Sequence, residues 1–161
     1  MARRPLVTAI IAAGALAAVP ASPAAASDAT LKAEIESVLV ELQPALTEFQ
    51  EAADGLEQAK DTARLQTATQ GLRTGLSRYK WGVINRKTSS PNGATAKKLL
   101  LTGIREFDIG LVQYDKGLEE LDAGAKKASV LSSLRTANRR FTVASRREQK
   151  ALDALGVVRP N

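Results

Sequence analysis

The sequence predicts an all-α protein, an antiparallel up-down-up-down four-helix bundle preceded by an N-terminal signal peptide. Three observations support this fold class. Apolar residues recur every three or four positions along four long segments, which is the spacing of one buried helix face. No segment alternates apolar and polar residues in the way a β-strand does. Short turn-forming sequences separate each segment from the next, as expected for consecutive helices that fold back on each other.

The first 26 residues have the features of an export signal. Residues 1–4 are basic, residues 6–19 form an uncharged apolar run, and small residues precede Ser27. The apolar run is too short to cross a bilayer comfortably. We therefore expect a signal peptide over residues 1–26 and one domain over residues 27–161, in a secreted, extracellular or cell-envelope-associated protein without a membrane span after signal removal.

Helix one is predicted over residues 28–59, with Asp28 as its N-cap. Helix two is predicted over residues 61–88, after a tight turn at Lys60. Each helix has an apolar seam with helical spacing, and Thr69 is the single polar residue inside the second seam. The seams are Leu31, Ile35, Val38, Leu42, Ala45, Phe49, Ala52 and Leu56 in helix one and Leu65, Leu72, Leu76, Tyr79 and Val83 in helix two.

Residues 89–93 form the clearest predicted loop, which leads to helix three over residues 94–122. Residues 104–124 repeat the pattern apolar-x-x-apolar-Asp-x-Gly three times, which is typical of a helix packed lengthwise on other helices. Helix four is predicted over residues 125–155. The seams are Leu100, Ile104, Phe107, Leu111, Tyr114, Leu118 and Leu121 in helix three and Val130, Leu134, Ala137, Phe141, Ala144, Ala151 and Leu155 in helix four.

The four segments alternate in formal charge. Residues 28–60 carry −6, residues 61–92 carry +5, residues 93–122 carry −2 and residues 123–161 carry +7. In an up-down-up-down bundle every helix then lies beside two helices of opposite sign. This arrangement disfavours incorrect neighbours, although each exposed ion pair contributes only about 0.2–1 kcal/mol.

Glycines recur every seven residues inside helices two and three, where each costs about 1 kcal/mol of helix stability relative to alanine. One bundle hand pairs the glycines of helix two with those of helix three, whereas the other pairs Arg73 with Asp115 and Lys80 with Asp108. We expect the glycines to permit close helix packing; the alternative is an open groove for a partner helix or an extended ligand. The glycines are Gly75 and Gly82 in helix two and Gly103, Gly110 and Gly117 in helix three.

The chain contains no histidine and no cysteine, and this excludes several classes of function. Histidine-based acid–base catalysis, catalytic triads and most transition-metal sites require those residues. Glu34, Glu41 and Glu48 stand about 10 Å apart along one helix, too far for paired-carboxylate chemistry. We therefore expect a protein without catalytic residues, cofactor or metal, because an enzyme would need an internal pocket with several converging polar groups.

Two charged residues interrupt the apolar seams near one end of the predicted bundle: Arg86 at the close of helix two and Glu148 in helix four. Trp81, the single tryptophan, lies at the same end but off the seam. The simpler interpretation is a terminal salt bridge between Arg86 and Glu148, with Trp81 covering a helix flank. The functional alternative is a small polar pocket or a docking patch for a partner protein.

Helix four also has a basic face, formed by Arg135, Arg139, Arg140, Arg146, Arg147 and Lys150. The simpler interpretation is ion pairing with neighbouring acidic helices. The alternative is a binding face for anionic surface material, either wall polymer or lipid. The export signal and the scarcity of aromatic residues, 4% of the chain, argue against nucleic acid.

Together these features predict an exported, non-catalytic helical-bundle protein. It would act by binding an unknown protein, or as a structural component of the cell envelope. The alternative function is binding of anionic surface material through the basic face of helix four. Self-association through exposed glycine stripes is a further option.

Overall fold

The computed structural model describes residues 23–59 and 62–156. The helices in this part of the chain are α1 (Pro23–Ala59), α2 (Thr62–Asn85), α3 (Pro91–Asp122) and α4 (Lys127–Ala154), and it contains no β-strand. The prediction of an all-helical protein with four helices is therefore confirmed. Most of the predicted signal peptide, the turn at Lys60 and the side chain of Leu56 lie outside the described residues and side chains.

The helix ends differ from the predicted ones mainly around Asp28. α1 begins at Pro23 rather than at Asp28, because the alanines before Asp28 are strong helix formers and extend the helix. Asp28 is therefore not an N-cap. Its carboxylate accepts hydrogen bonds from the backbone N–H of Ser89, at 3.3 Å, and from the hydroxyl of Ser90. It thereby fastens the α2–α3 loop to α1.

The α2–α3 loop lies three residues earlier than predicted, over residues 86–90 instead of 89–93, because α2 already ends at Asn85. Pro91 lies in the first turn of α3. A backbone N–H at that position would have no acceptor within the helix, so proline costs no hydrogen bond there. Ser90 is the N-cap, and its Oγ accepts a hydrogen bond of 2.9 Å from the N–H of Gly93. Residues 91–93, expected in the loop, therefore form the start of α3.

The predicted seams line the core. Every seam residue of α2, including Thr69, is buried, and those of α1 are buried or half-buried wherever their side chains are described. Leu121 is an exception at 45% exposure, because it lies in the last turn of α3 beside an exposed connection. Leu46 and Ser133 are buried although the seams did not include them.

Consecutive helices contact each other with their residues in opposite sequence order. Arg86 pairs with Glu34 and Arg64 with Glu48 between α1 and α2. Between α3 and α4, the positions facing Gly103 and Gly110 are Ala144 and Ala137. α1 also reaches α3, where the rings of Phe49 and Tyr114 lie 5.3 Å apart. In contrast, the described residues of α1 and α4 do not approach each other closely. The packing is compatible with a four-helix bundle.

The glycine stripe of α3 packs against α4, and the predicted pairing with the glycines of α2 is wrong. A Cβ at Gly103 would lie 3.3 Å from the carbonyl oxygen of Ala144, and one at Gly110 would lie 3.3 Å from that of Ala137. The glycines of α2 instead face α1, where a Cβ at Gly75 would meet Leu42. The stripes permit close packing within the α1–α2 and α3–α4 pairs, and the stripe of α3 is buried rather than open.

Charged contacts occupy the α2–α3 interface, as expected for the bundle hand in which cations of α2 pair with aspartates of α3. The partner differs, however, because Arg73 Nε lies 3.2 Å from Asp108 Oδ1 rather than bonding to Asp115. Asp115 remains close enough for the charge of Arg73 to act on it, but burial has the larger effect and raises the pKa of its carboxyl. Among the described residues, ion pairs join α1 to α2, α2 to α3 and α3 to α4, but none joins α1 to α4.

Candidate binding surfaces

The basic face of α4 divides into paired and unpaired cations. Arg140 Nη1 lies 2.6 Å from one oxygen of Glu106, and Arg147 Nη2 lies 3.9 Å from the other. Both arginines are therefore held on α3, as the structural interpretation predicted. The carboxylate of Glu106 is largely covered, because its side chain is only 14% exposed.

The remaining four cations form a separate stripe, which we call the outer stripe of α4: Arg135, Arg139, Arg146 and Lys150. All four are exposed, and none has an ion pair with any described residue. At 100° per residue they fall within one narrow sector, opposite the buried positions Ala137 and Ala144. The stripe therefore runs for about 22 Å along the solvent side of the helix.

The predicted salt bridge between Arg86 and Glu148 is wrong, because Arg86 pairs with Glu34 of α1. Arg86 Nε donates to Glu34 Oε2 at 2.9 Å. Since α2 ends at Asn85, Arg86 lies in the following loop and is free to turn towards α1. Lys97 donates to the carbonyl oxygens of Ile84 and Arg86, at 2.7 and 2.6 Å. It thereby supplies donors to backbone carbonyl groups at the C-terminal end of α2. These groups therefore stabilise the end of the molecule.

Trp81 lies on the outer face of α2 and is 64% exposed. Ile84, one turn further along, is also exposed, so the two make a small apolar patch. The patch is on a different helix from the outer stripe of α4, and the described parts of α2 and α4 do not approach each other. The two predicted partner-binding regions are therefore separate surfaces.

Glu148 lines a cavity inside the molecule. The cavity has a volume of ≈ 50 Å³ and is partly open to solvent. Leu39, Leu42 and Leu46 line it from α1, and Ala144 and Glu148 line it from α4.

The cavity walls from α2 and α3 are formed by apolar side chains, by Gly103 and by Tyr79. Tyr79 lines the cavity, its side chain is only 4% exposed, and its hydroxyl has no hydrogen-bond partner. Burial raises the pKa of Tyr79 far above its usual range, and the nearby carboxylates of Glu148 and Glu34 raise it further. Tyr79 is therefore a protonated, buried donor at any physiological pH.

The sequence predicts an ordinary core residue at Tyr79 and gives no indication of this cavity. A tyrosine at a seam position is typical of a core, so the residue itself gave no signal. The usable signal was Glu148, a carboxylate at a core step of helix four. We assigned that carboxylate to Arg86 from similar heights along the bundle, which do not reveal which helix a loop residue turns towards.

The described residues contain no group of three or more side chains of the metal-binding types, and no helix in them combines the length and apolar character of a bilayer span. Comparisons of the chain with models of known protein families, with curated proteins and with solved structures find no match. The function must therefore be inferred from the surfaces and the cavity of this chain.

Proposed function

We propose that this chain is an exported, non-catalytic binding protein with an up-down-up-down four-helix bundle, and that it binds anionic surface material through the outer stripe of α4. The antiparallel contacts between consecutive helices support the topology. The basic start and apolar run of residues 1–26 support export. The proposed role is to hold the protein on an anionic cell-surface component, either a wall polymer or a lipid layer.

The observation that carries this proposal is the outer stripe itself. Four cations share one sector of a single helix and have no carboxylate partner among the described residues. Cations that only stabilise the fold are expected to contact the acidic neighbours, as Arg140 and Arg147 do. Because the four charges lie in one sector of a single helix, all of them can face one surface together.

The expected affinity follows from the number of charges. A Lys or Arg near an anionic bilayer contributes about 1 kcal/mol. Four such residues therefore contribute about 4 kcal/mol, close to a thousandfold in the binding constant. Because exposed charges are screened over about 10 Å at 0.1 M salt and about 3 Å at 1 M, the binding should weaken steeply as salt is raised.

The test compares two variants with the same change in net charge. The first replaces the outer stripe with glutamine: Arg135, Arg139, Arg146 and Lys150. The control replaces four other exposed cations that have no ion pair with a described residue: Arg78, Lys80, Lys87 and Lys98. Binding is measured by co-sedimentation with phosphatidylglycerol vesicles, with phosphatidylcholine vesicles as the neutral reference, and by retention on an immobilised teichoic acid.

The proposal predicts that the wild type and the control variant bind an anionic probe at low salt and are released at high salt. The stripe variant should lose most of this binding. Retention only on the teichoic acid would identify the polymer as the target, and retention only on vesicles would identify lipid. Equal losses in the two variants would show that net charge alone is responsible, and the proposal would then be rejected.

A second candidate function is docking of a partner protein at Trp81. The supporting observation is the exposure of its indole next to Ile84, since large aromatic side chains anchor many interfaces. Trp81→Ala should then abolish capture of envelope proteins from an extract, whereas Val40→Ala, at an equally exposed apolar site, should not. Unchanged capture with Trp81→Ala would exclude this function.

A further inference from the structure

We propose that the outer stripe of α4 binds a linear phosphodiester polymer extended along the helix axis, with four consecutive phosphates contacting its four cations. Such a polymer is one kind of the anionic surface material proposed above, so this proposal rests on that function and names its target. A lipid layer is the alternative that the experiment must exclude.

The cations of the outer stripe follow one line along α4. The first two, Arg135 and Arg139, lie about 6 Å apart along the helix axis. The last two, Arg146 and Lys150, have the same separation, and about 10 Å separates the two pairs. The line is therefore about 22 Å long but covers only about 60° of the helix circumference. A target whose charges also lie in a line matches this shape.

A phosphodiester chain with three carbon atoms between its phosphates has a matching charge spacing. Its repeat contains six backbone bonds, which span about 7 Å when extended, because the three backbone bonds of one amino-acid residue span about 3.5 Å. Four consecutive phosphates therefore extend over about 21 Å, close to the length of the outer stripe. The mismatch at any one cation is about 2 Å, which the long side chains of arginine and lysine can cover.

The packing of α4 on α3 favours a polymer over a lipid layer. An amphipathic helix that lies on a bilayer inserts its apolar face into the lipid. In α4 this face is covered, because small buried residues such as Ala137 pack on the glycine stripe of α3, here on Gly110. Thr142, which is exposed near the middle of the outer stripe, is polar. Binding through the outer stripe therefore depends mainly on charge.

An acidic residue lies where the outer stripe ends. Asp153 is exposed and falls in the same sector of α4, one turn beyond Lys150. Its Oδ1 accepts a hydrogen bond of 2.8 Å from Nε2 of Gln149. A phosphate placed beyond Lys150 would meet this negative charge. The outer stripe therefore accommodates about four phosphates and repels the next one.

The proposal is tested with oligomers of propane-1,3-diol phosphate, which have three carbon atoms between phosphates and can be made in defined lengths. Binding of the labelled oligomers to the full chain is measured by fluorescence anisotropy. The affinity should rise about 25-fold from two to four phosphates, because each added contact contributes about fivefold. From four to eight phosphates it should rise by about fivefold at most, because the longer chain only offers more alignments.

Salt dependence and charge spacing test the contacts themselves. With four phosphates neutralised, the logarithm of the binding constant should fall with the logarithm of the salt concentration with a slope of about −2.8. A four-phosphate oligomer joined by hexaethylene glycol has the same charge at a wider spacing. It should bind about tenfold more weakly, because its phosphates cannot contact all four cations without a large loss of chain entropy.

Two substitutions with opposite effects test the position of the polymer. Arg139→Gln should weaken binding of the four-phosphate oligomer about fivefold and make the salt slope shallower by about 0.7. Arg78→Gln, at an exposed cation on α2, should change neither. Asp153→Asn should strengthen binding of the eight-phosphate oligomer about two- to fivefold. Asp54→Asn, at an exposed position on α1, should leave it unchanged.

The outcomes separate this proposal from the function on which it rests. Binding of phosphatidylglycerol vesicles through the outer stripe without binding of the oligomers would overturn the polymer and leave lipid as the target. Binding of neither probe would reject both proposals. Equal affinity for the two spacings, or tighter binding of oligothymidylate with the same number of phosphates, would also overturn the polymer.

Discussion

Gly110→Ala tests the close packing of α3 on α4 most directly. Gly110 is in the middle of α3, and an added Cβ would lie 2.5 and 2.7 Å from two ring carbons of Phe141 and 3.3 Å from the carbonyl oxygen of Ala137. The Phe141 ring has little room to move away, because the rings of Phe107 and Tyr114 lie 4.9 and 6.4 Å from it. The new methyl group must therefore displace a packed ring or α4 itself.

Gly71→Ala is the matched control, since nothing lies within 4 Å of a Cβ at Gly71 in α2. Both substitutions gain the same helix propensity, about 0.8–1 kcal/mol. Only Gly110→Ala adds an overpacking cost, about 1–3 kcal/mol. We therefore expect Gly71→Ala to stabilise the protein by about 1 kcal/mol. Gly110→Ala should be less stable than that variant by about 1–3 kcal/mol, because the propensity gain cancels in the comparison.

The assay is urea unfolding followed by far-ultraviolet circular dichroism, with thermal melts as a second measurement. In a chain of this size 1 kcal/mol corresponds to about 2–4 °C in Tm. Gly71→Ala should therefore melt a few degrees above the wild type, and Gly110→Ala should melt at or below it. If Gly110→Ala stabilised the protein as much as Gly71→Ala does, the close contact between α3 and α4 would be refuted.

Three further predictions concern a helix cap, a buried carboxyl and an exposed ring. Ser90→Ala should lower the free energy of unfolding by about 1 kcal/mol in the same urea assay, because the N–H of Gly93 loses its acceptor; an unchanged value would contradict the cap. Burial raises the pKa of Asp115 in the folded state, so its contribution to stability falls as pH rises through the window above 3.8. Asp115→Asn should therefore melt above the wild type at pH 7, with the gap closing in acid; a gap that widens in acid would reverse the assigned sign. Trp81→Ala should change the stability by less than about 0.5 kcal/mol, since the ring is mostly exposed, and a larger loss would show that the indole is packed.

The core could be predicted from the sequence because helical spacing alone specifies which residues share one helix face. The buried positions of α2, from Leu65 to Val83, follow this spacing at every step. Leu121 shows where the rule stops. It continues the spacing, but it lies in the last turn of α3, beyond the part of the helix that its neighbours cover.

The contacts of the glycines could not be predicted in the same way. The spacing of Gly103, Gly110 and Gly117 shows that they lie on one side of the α3 seam, but the helix on that side depends on the bundle hand. Both bundle hands allowed a consistent register between α3 and α2. The structure shows that the glycines of α3 face α4. Similarly, Arg86 could have turned towards either neighbouring helix, and the early end of α2 directs it to Glu34.

The ion pairs of the described residues show how the acidic α1 and the basic α4 relate to each other. The acids of α1 with described ion pairs contact α2, and the paired cations of α4 contact α3. Among the described residues, the strongly acidic and strongly basic helices therefore form no ion pair with each other, and the outer stripe of α4 keeps its charge.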